Sequence, residues 1–348
     1  MARIVSLGSA LQDLYLIDND DFVATKFCDA HQKNCKSVFG ELLIGTKVDI
    51  DRLLYEIGGG GTNAAVEFAR HGHESIYFGN IGHDMAGDAV LACLDEEGVD
   101  NSYVEYAPRK STGCSVILLD RKSGERTILT YRGASAKFDN LDEEDLERVQ
   151  PDWLYVTSLR GDMDTLLRFF EKAKEIGCQI MFNPGKLELA EKKKLIGLLD
   201  LVDILLVNKS EAAEIVPGTV LTELVSHLGN YVKTVVITDG NMGAIATDGV
   251  KTYRFGIYED VPVKDTTGAG DAFGAGFLAH LAAGYSFRDS LIFASANSTA
   301  VVSEFSAKKG LLTGSEKLHE MPIQEVKQWT QIIRTIVIWT PTLKSLPI

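Results

Sequence analysis

The sequence has few basic residues relative to its acidic ones. Lys and Arg total 35 against 49 Asp and Glu in 348 residues, a formal charge of −14. A nucleic-acid-binding surface needs a local excess of positive charge, and no basic stripe occurs along the chain. We therefore expect no nucleic-acid partner. A small phosphorylated ligand is not excluded, because a backbone-lined pocket with one or two cations binds phosphate inside an acidic protein.

Paired cysteines and long apolar runs are also missing. The five cysteines form no CxxC pair, and their odd number cannot close entirely into intramolecular disulfides. Reduced thiols in a cytosol are the simplest interpretation. No segment approaches the ~18 to 20 apolar residues of a membrane span, and the N-terminal stretch lacks the pattern of a signal peptide. These absences predict a cytoplasmic protein with no membrane partner.

The turn after the first strand-like run does not carry a dinucleotide-binding motif. Such a motif places GxGxxG directly after the first strand, whereas here that turn reads GSALQD. The glycine-rich run of this chain comes some fifty residues later, after strand-like sequence. The pattern therefore disfavours a nicotinamide-dependent dehydrogenase.

Short apolar runs alternate with longer helix-patterned stretches through most of the chain. The clearest buried strands are IVSLG, WLYVTS, QIMFN, ILLVN and VVIT. Helices are predicted between them at 164–176, 187–199 and 211–216. Alternation of this kind is typical of a mostly parallel sheet covered by helices on both faces. The sequence therefore predicts an α/β fold, a three-layer αβα sandwich.

Two stretches, 14–57 and 101–136, break that rhythm and resemble strands and turns. The clearer is SVILLDRKSGERTILTYR, two β-rich runs around a charged turn. We expect them to form a small β-sheet lid on a core made of 1–13, 58–100 and 137–320, followed by an apolar tail at 321–348. A lid of this kind closes over a site and excludes water. Its exposed edges predict a homodimer through the lid.

The most informative run is DTTGAGDAF, which precedes a helix-patterned stretch. The backbone amides of Gly268, Ala269 and Gly270 and the positive end of the helix form a candidate anion hole. Asp271 follows at its mouth, where a carboxylate can take a proton from a substrate hydroxyl. The alternative is an ordinary helix start with an acidic residue in the first turn.

Two further runs end predicted strands in the second half of the chain. Asn208 and Glu211 of NKSE either organise water-coordinated Mg²⁺ and phosphates or form a helix capping box. The run TDGNMG supplies Thr238, Gly240 and Gly243, which either admit a nucleotide close to the backbone or form a simple turn.

Two runs in the first half are candidates for binding a hydroxylated ligand. In GGGGTN, Gly59 and Gly60 leave room beside the backbone, and Asn63 offers both a donor and an acceptor. A flexible hinge for the preceding lid strand is the alternative. Asp13 follows the first strand, where its carboxylate could accept two vicinal hydroxyls or simply belong to a turn.

Along the chain the motifs follow the order Asp13, GGGGTN, NKSE, TDGNMG and DTTGAGD. In that order they resemble the motifs of the ribokinase/PfkB family of carbohydrate kinases over about residues 4–310. DTTGAGD is similar to the family's second signature, and GGGGTNAA is similar to its first. The resemblance implies a ribokinase-like sandwich with a β-sheet lid, and ATP and Mg²⁺ as cofactors. It also implies that Asp271 is the general base, that Gly268 to Gly270 form the anion hole, and that Asn208 with Glu211 forms the Mg²⁺ site. The nucleotide pocket would be formed by Thr238, Gly240, Gly243 and Asn297. The sugar pocket would be formed by Asp13, Gly59, Gly60 and Asn63.

Two finer expectations come from the same resemblance. Asp265 would lie beside a monovalent cation such as K⁺. The run YRGASA is similar to an element that contacts the acid sugar in 2-keto-3-deoxygluconate kinases, so Arg132 is expected to bind a carboxylate or phosphate of the acceptor. An exposed lid arginine is the alternative. Ribose, acid sugars and nucleosides all remain open as acceptors, and so does a non-catalytic, sugar-binding relative.

Overall fold

The structure is a computed structural model, and it describes residues 1–18, 23–27, 37–41, 47, 49–50, 52–120, 126–259 and 261–326. The described part contains sixteen strands: β1 Arg3–Leu7, β2 Leu11–Asp18, β3 Val23–Phe27, β4 Ser37–Glu41, β5 Arg52–Gly58, β6 Glu74–Ile81, β7 Asp100–Tyr106, β8 Gly113–Asp120, β9 Arg126–Tyr131, β10 Trp153–Val156, β11 Gln179–Phe182, β12 Ile204–Asn208, β13 Thr234–Thr238, β14 Ala244–Thr247, β15 Thr252–Phe255 and β16 Ile323–Val326.

It also contains ten α-helices: α1 Gly60–Arg70, α2 Met85–Glu96, α3 Asp145–Val149, α4 Met163–Glu175, α5 Lys186–Ala190, α6 Lys192–Leu199, α7 Lys209–Ile215, α8 Leu221–Leu228, α9 Ala269–Ala282 and α10 Phe287–Val302. Short 3₁₀ turns lie at Gly133–Ala136 and Gly240–Met242. The predicted helix at 187–199 is two helices in the structure, since the chain leaves helical geometry at Glu191 (φ −89°, ψ 41°).

A ten-stranded sheet forms the centre of the core, in the order β16-β15-β14-β13-β12-β11-β10-β1-β6-β7. The strands from β13 to β7 are parallel, and β14, β15 and β16 add antiparallel at one edge. The five strands predicted from apolar runs all belong to this sheet. The α/β sandwich expected from the sequence is confirmed.

Burial on both faces explains why these strands are apolar throughout. Along β10, Leu154 and Val156 enter one buried cluster while Trp153 and Tyr155 enter the cluster on the opposite face. Successive side chains of a strand point to opposite faces, so an unbroken apolar run needs helices on each side. Here α4 to α8 contribute to the first cluster, and α9 and α10 to the second.

A separate four-stranded sheet, in the order β5-β2-β8-β9, corresponds to the predicted lid. Strands β8 and β9 form the predicted antiparallel hairpin, whose turn lies outside the described residues. On one face of this sheet a small apolar cluster of Tyr15, Ile17 and Ile117 packs with Phe305, which follows α10. The lid sheet therefore packs against the core through that segment.

Two predicted boundaries are wrong. The segment 101–136 was expected to be lid, but β7 pairs in parallel with β6 in the large sheet, and only β8 and β9 join the lid. Because β7 is followed directly by β8, with no helix between them, its sequence resembled the start of the lid. The tail predicted from 321 begins with β16, which pairs with β15 at the edge of the large sheet. The segment 327–348 lies outside the described residues.

Candidate active site

Parallel strands place their following loops at one edge of the large sheet. Loops after β1, β10, β12 and β13 meet there, because neighbouring strands of this sheet are in direct register, as Leu7 is with Val156 and Asn208 with Thr238. Ligands of open α/β sheets bind at this carboxyl edge. Of the residues predicted to carry function, this edge holds those at the ends of β12 and β13 and just after them: Asn208, Glu211, Thr238, Gly240 and Gly243.

The glycine-rich run joins the lid strand β5 to helix α1. At Gly59, φ is +101°, and an added Cβ would lie 2.3 Å from the carbonyl oxygen of Ser9. At Gly58 an added Cβ would lie 1.9 Å from Oδ2 of Asp13. The glycines are therefore needed so that the backbone can pass closely over the loop after β1. This close passage brings Asp13 next to the start of α1.

Asp13 lies on β2 with 7 % of its surface exposed. Burial raises the pKa of its carboxyl group to about 6, opposed by a hydrogen bond from Ser115 and by the charge of Lys308. A carboxylate has about four acceptor sites on its two oxygens, so Asp13 is able to accept hydroxyl groups from a ligand beside its hydrogen bond from Ser115.

Asn63 connects two charged groups of the site. Its Nδ2 donates to Oδ2 of Asp271 at 2.9 Å, and its Oδ1 accepts from Nζ of Lys308 at 2.9 Å. Lys308 was missed in the sequence, where it is one of two adjacent lysines after a helix and nothing distinguishes it from a surface residue. Only the packing of the loop 303–310 against α1 brings it here.

Helix α9 begins at the predicted anion hole. Gly268 caps it with φ +80°, and an added Cβ there would lie 2.3 Å from Cβ of Ala307. In the first turn, the amide of Ala269 donates to the carbonyl of Thr266 at 3.4 Å, and that of Ala272 to Gly268 at 2.8 Å. Within the described residues the amides of Gly268, Gly270 and Asp271 have no protein acceptor. Free amides at a helix start bind anions.

Asp271 stands in the first turn of α9, so its carboxylate lies beside these amides. Burial raises the pKa of Asp271, and the hydrogen bond from Asn63 and the charge of Lys308 oppose that shift. Its Oδ2 accepts from Asn63, which makes the one hydrogen bond to this carboxylate among the described residues and leaves Oδ1 free. A half-buried carboxylate with one oxygen free has the chemistry of a general base.

Asp265, at the start of the same loop, is buried and contacts the lid. Its Oδ1 accepts from the amide and the hydroxyl of Thr267 at 2.9 and 2.7 Å. Nε of Arg126, from β9, lies 3.4 Å from the same oxygen, and the Arg126 guanidinium also donates to Thr266 at 2.6 Å. The lid and the anion-hole loop are therefore joined by an ion pair in this structure.

Asn208 and Glu211 form the capping box that the sequence left open as an alternative. Oδ1 of Asn208 accepts from the amide of Glu211 at 2.9 Å, and Oε2 of Glu211 accepts from the amide of Asn208 at 2.8 Å. Both residues lie at the carboxyl edge of the sheet, with Asn208 opposite Thr238. The second carboxylate oxygen of Glu211 has no hydrogen bond in the described part of the chain.

The turn after β13 needs its glycines for backbone reasons. Gly240 has φ +56° with open space around it, and Gly243 has φ +82°. An added Cβ at Gly243 would lie 2.1 Å from the carbonyl oxygen of Phe255 in β15. Close packing of β14 against β15 therefore accounts for Gly243 without a ligand.

Asn297 is not part of this edge. It is fully buried in α10, where its Nδ2 donates to Oε1 of Glu67 at 3.0 Å and to the carbonyl of Ala272 at 2.8 Å. Its Oδ1 accepts from the amide of Leu312 at 2.8 Å. The expectation that Asn297 lines a nucleotide is not supported, because its donor and acceptor atoms join α1, α9 and the segment after α10.

Arg132 precedes the 3₁₀ turn at Gly133–Ala136 and is half-buried. Burial and the charge of Arg160 lower its pKa, while the charge of Asp13 raises it. Arg160 belongs to the loop after β10, whose Asp162 accepts from the amide of Phe138 at 3.2 Å. The Arg132 guanidinium therefore lies near both Asp13 and the guanidinium of Arg160, and neither arginine has an ion-pair partner within the described residues.

The lid, the αβα core and the helix start with its carboxylate define a ribokinase-like fold, the class to which solved structures assign it. The Arabidopsis thaliana ribokinase complexed with ribose and ATP aligns with a TM-score of 0.72 at 24% identity, covering 89% of this chain and 95% of that one. The Burkholderia thailandensis nucleoside kinase in complex with inosine aligns with a TM-score of 0.69 at 19% identity, covering 89% and 94%.

Sequence comparison gives the family. The model of the pfkB family carbohydrate kinases matches residues 37–313, and the chain belongs to that family. It is similar to the ribokinase of Lactococcus lactis subsp. lactis, with 28% identity over 271 residues that cover 76% of this chain and 87% of the relative. The protein is a sugar kinase, a phosphotransferase with an alcohol group as acceptor. Among the described residues no helix is both long and apolar enough to cross a membrane.

Proposed function

We propose that the protein transfers the γ-phosphoryl group of ATP to a hydroxyl of a sugar or sugar-like molecule. Our preferred assignment is a primary hydroxyl. The observation that carries this proposal is the placement of the Asp271 carboxylate beside the amides of Gly268, Gly270 and Asp271, which have no acceptor in the described part of the protein. The carboxylate faces the place where a hydroxyl would lose its proton. The amides face the place where phosphoryl charge would develop.

The proposed mechanism assigns one task to each group. The acceptor binds between Asp13, Asn63 and the lid, and Oδ1 of Asp271 takes its hydroxyl proton. As the acceptor oxygen bonds to the γ-phosphorus, the bond from that phosphorus to the β,γ-bridging oxygen breaks and ADP leaves with the oxygen. The amides of Gly268, Gly270 and Asp271 stabilise the negative charge on the transferred group. Since the protein makes no covalent bond, most of the acceleration comes from alignment and charge stabilisation.

ATP with Mg²⁺ is proposed to bind along the carboxyl edge from Asn208 to Thr238. The free carboxylate oxygen of Glu211 is suited to a water bound to Mg²⁺, the hard cation that neutralises phosphate charge during transfer. The open space around Gly240 leaves room for the nucleotide. Asn208 and Glu211 would serve in this way while keeping their capping hydrogen bonds, since each has an atom to spare.

A monovalent cation beside Asp265 is also proposed. Oδ2 of this buried carboxylate has no hydrogen bond among the described residues, which fits a cation ligand. Arg126 already contributes one positive charge near Oδ1, so we expect K⁺ to enhance turnover without being required for it.

An anionic group on the acceptor is favoured by Arg132. Burial beside a second arginine costs electrostatic energy, and a carboxylate or phosphate between the two would remove that cost. A nucleoside is the alternative acceptor, since the aligned kinase from Burkholderia thailandensis binds inosine. The ribose hydroxyls of a nucleoside would make the same contacts with Asp13 and Asn63.

The first test is a coupled assay of ADP release. MgATP is supplied with ribose, fructose, 2-keto-3-deoxygluconate, adenosine, other nucleosides and phosphorylated sugars, in KCl and again in LiCl. We expect saturable turnover on one class of acceptor, faster in KCl. No turnover across the panel by a protein that binds ATP in calorimetry would contradict the catalytic proposal and favour a sugar-binding relative.

Arg132→Gln separates the two acceptor classes. We expect KM for an acid or phosphorylated sugar to rise by about tenfold or more, since a charge-assisted hydrogen bond contributes ~1.5 to 3 kcal/mol. The KM for a neutral sugar or nucleoside should change much less. Arg109→Gln, on an exposed turn, serves as the control. Equal changes for charged and neutral acceptors would sink the anion-binding role.

A further inference from the structure

Lys308 has an ammonium group buried inside the protein next to the proposed active site. Only 6 % of the residue is exposed. Nζ donates to the carbonyl oxygen of Ile57, to Oδ1 of Asn63 at 2.9 Å and, more weakly, to Oγ1 of Thr62 at 3.4 Å. All three acceptors lie where β5 passes into α1. Burying an ammonium group is costly even when it is hydrogen-bonded, so a purely structural role would be served better by an apolar side chain.

The contact with Asn63 determines which way its amide points. A side-chain amide has one accepting atom and one donating group. With the ammonium group donating to Oδ1, the donating Nδ2 must face Asp271, and it lies 2.9 Å from Oδ2. A flipped amide would place its NH₂ against the ammonium and its oxygen against the carboxylate. Both contacts would then be repulsive.

The orientation of Asn63 in turn selects one oxygen of Asp271. Because Oδ2 accepts from Asn63, Oδ1 is the atom left without a hydrogen bond among the described residues. Oδ1 is therefore the atom that remains for the acceptor hydroxyl. Lys308 reaches the base through the side chain of Asn63, and among the described residues its Nζ donates to Ile57, Thr62 and Asn63 rather than to Asp271.

The charge of Lys308 acts on both carboxylates of the site. It lowers the pKa of Asp13 and of Asp271, in each case against the effect of burial. Burial lowers the pKa of Lys308 to about 8, opposed by Cys93, Asp13, Asp271 and Glu97. Of these, Glu97 is already paired with Arg70, through hydrogen bonds that include one of 2.8 Å. Tyr155, a further neighbour of Asp271, is buried, and its raised pKa keeps it neutral.

We propose that Lys308 is a positioning residue for Asp271: its ammonium fixes the Asn63 amide, and so holds the carboxylate ionised with Oδ1 turned toward the acceptor. The proposal rests on the proposed function for its kinetic consequences. Its structural part concerns Asp271 alone and is testable without any acceptor.

The direct test is a pH titration of the Asp271 carboxyl by ¹³C NMR on protein labelled at aspartate Cγ. The Asp271 signal is assigned by its absence in Asp271→Asn. In Lys308→Met we expect the pKa of Asp271 to rise by about one unit, the size of shift a neighbouring charge produces. Lys309→Met is the matched control, because the adjacent Lys309 pairs with Glu56 at the surface. It should leave the Asp271 titration unchanged.

The kinetic test uses the acceptor found in the ADP-release assay. In Lys308→Met the acidic limb of the kcat/KM profile should move to higher pH by the same interval, about one unit. The alkaline limb near pH 8, where Lys308 loses its proton, should disappear. We expect kcat to fall by about tenfold, with ATP affinity unchanged. Lys308→Arg, which keeps the charge, should return the acidic limb toward its wild-type position.

Two results would overturn the proposal. One is an unmoved Asp271 titration in Lys308→Met that is folded and binds ATP. The other is a shift of equal size in Lys309→Met. If Lys308→Met does not fold, Asn63→Ala carries the test, and an unchanged pKa of Asp271 there overturns it. A wild-type protein that turns over no acceptor while Lys308→Met shows the NMR shift would refute the proposed function and leave the positioning role in place.

Discussion

Asp271→Asn should lower turnover by roughly 10²-fold or more and leave ATP affinity nearly unchanged. Asparagine has almost the same shape as aspartate, but its amide does not take a proton from the acceptor hydroxyl. In the wild type, Nδ2 of Asn63 donates to Oδ2 of Asp271 at 2.9 Å. In the variant, the side-chain amide at position 271 turns either its NH₂ group or its carbonyl oxygen toward that Nδ2. The start of α9 and its free amides should keep their geometry, because Gly268 and its contact with Ala307 are untouched.

The measurement compares kcat and KM by ADP release with ATP affinity by calorimetry. Asp289→Asn provides a matched control, since Asp289 is also a first-turn aspartate, of the neighbouring helix α10, and is exposed. That variant should turn over like the wild type. Retained turnover in Asp271→Asn would contradict the assignment of the base, whatever the acceptor proves to be.

Glu67→Gln should stabilise the protein, and more so at higher pH. Glu67 lies fully buried in α1, with Oε1 accepting from Asn297 at 3.0 Å and Oε2 without a hydrogen bond among the described residues. Burial raises the pKa of this carboxyl to about 8, against the opposing effects of the Asn297 hydrogen bond and the charge of Arg70. At neutral pH the folded protein therefore holds a proton that the unfolded chain has released.

The sign of the effect follows from that difference. Between the unfolded pKa of 4.5 and the folded pKa of about 8, the native state binds more protons, so the free energy of unfolding falls as pH rises. Glutamine has no proton to release and removes this loss. We expect a gain of about 4 kcal/mol at pH 8, and under about 1 kcal/mol at pH 5.

Urea unfolding at pH 5 and pH 8 measures both values. Glu97→Gln gives a control of opposite sign, since pairing with Arg70 lowers the pKa of Glu97. That substitution should destabilise at neutral pH, with the loss vanishing as pH falls through the folded pKa of Glu97. Parallel pH profiles for wild type and Glu67→Gln would show that Glu67 does not titrate as inferred. Glu67 matters to the site because Asn297 joins it to the carbonyl of Ala272, next to Asp271.

Much of the fold was predictable because its signals are local. Apolar runs without alternation require a sheet buried on both faces, and the strands so predicted all lie in the large sheet. The β8 and β9 hairpin was likewise marked by two β-rich runs around a charged turn. The boundary at β7 was not predictable. A short strand that is followed by another strand, with no helix between them, fits either sheet, and only the pairing of β7 with β6 assigns it to the large one.

The candidate site divides in the same way. The anion-hole run and the glycine-rich run were visible because backbone constraints demand glycine, as at Gly59 and Gly268, whose φ angles are +101° and +80°. NKSE was ambiguous because a capping box needs the same two residues as the proposed Mg²⁺ site. Asn297 was predicted at the nucleotide, and in the structure its side chain joins Glu67, Ala272 and Leu312. A polar residue in an apolar helix suits a ligand and a buried hydrogen-bond junction equally.

The sequence by itself determined the αβα class, the kinase family and Asp271 as the candidate base. Each depends on residues close together in the chain, whose spacing carries the physical requirement. Only the tertiary structure decided that Lys308 faces Asn63 and that Arg126 of the lid pairs with Asp265. These partners are separated by 245 and 139 positions. A lysine or arginine looks the same in sequence whether it is solvated or buried. The packing of distant segments removes water from around its charge and places that charge beside its partner.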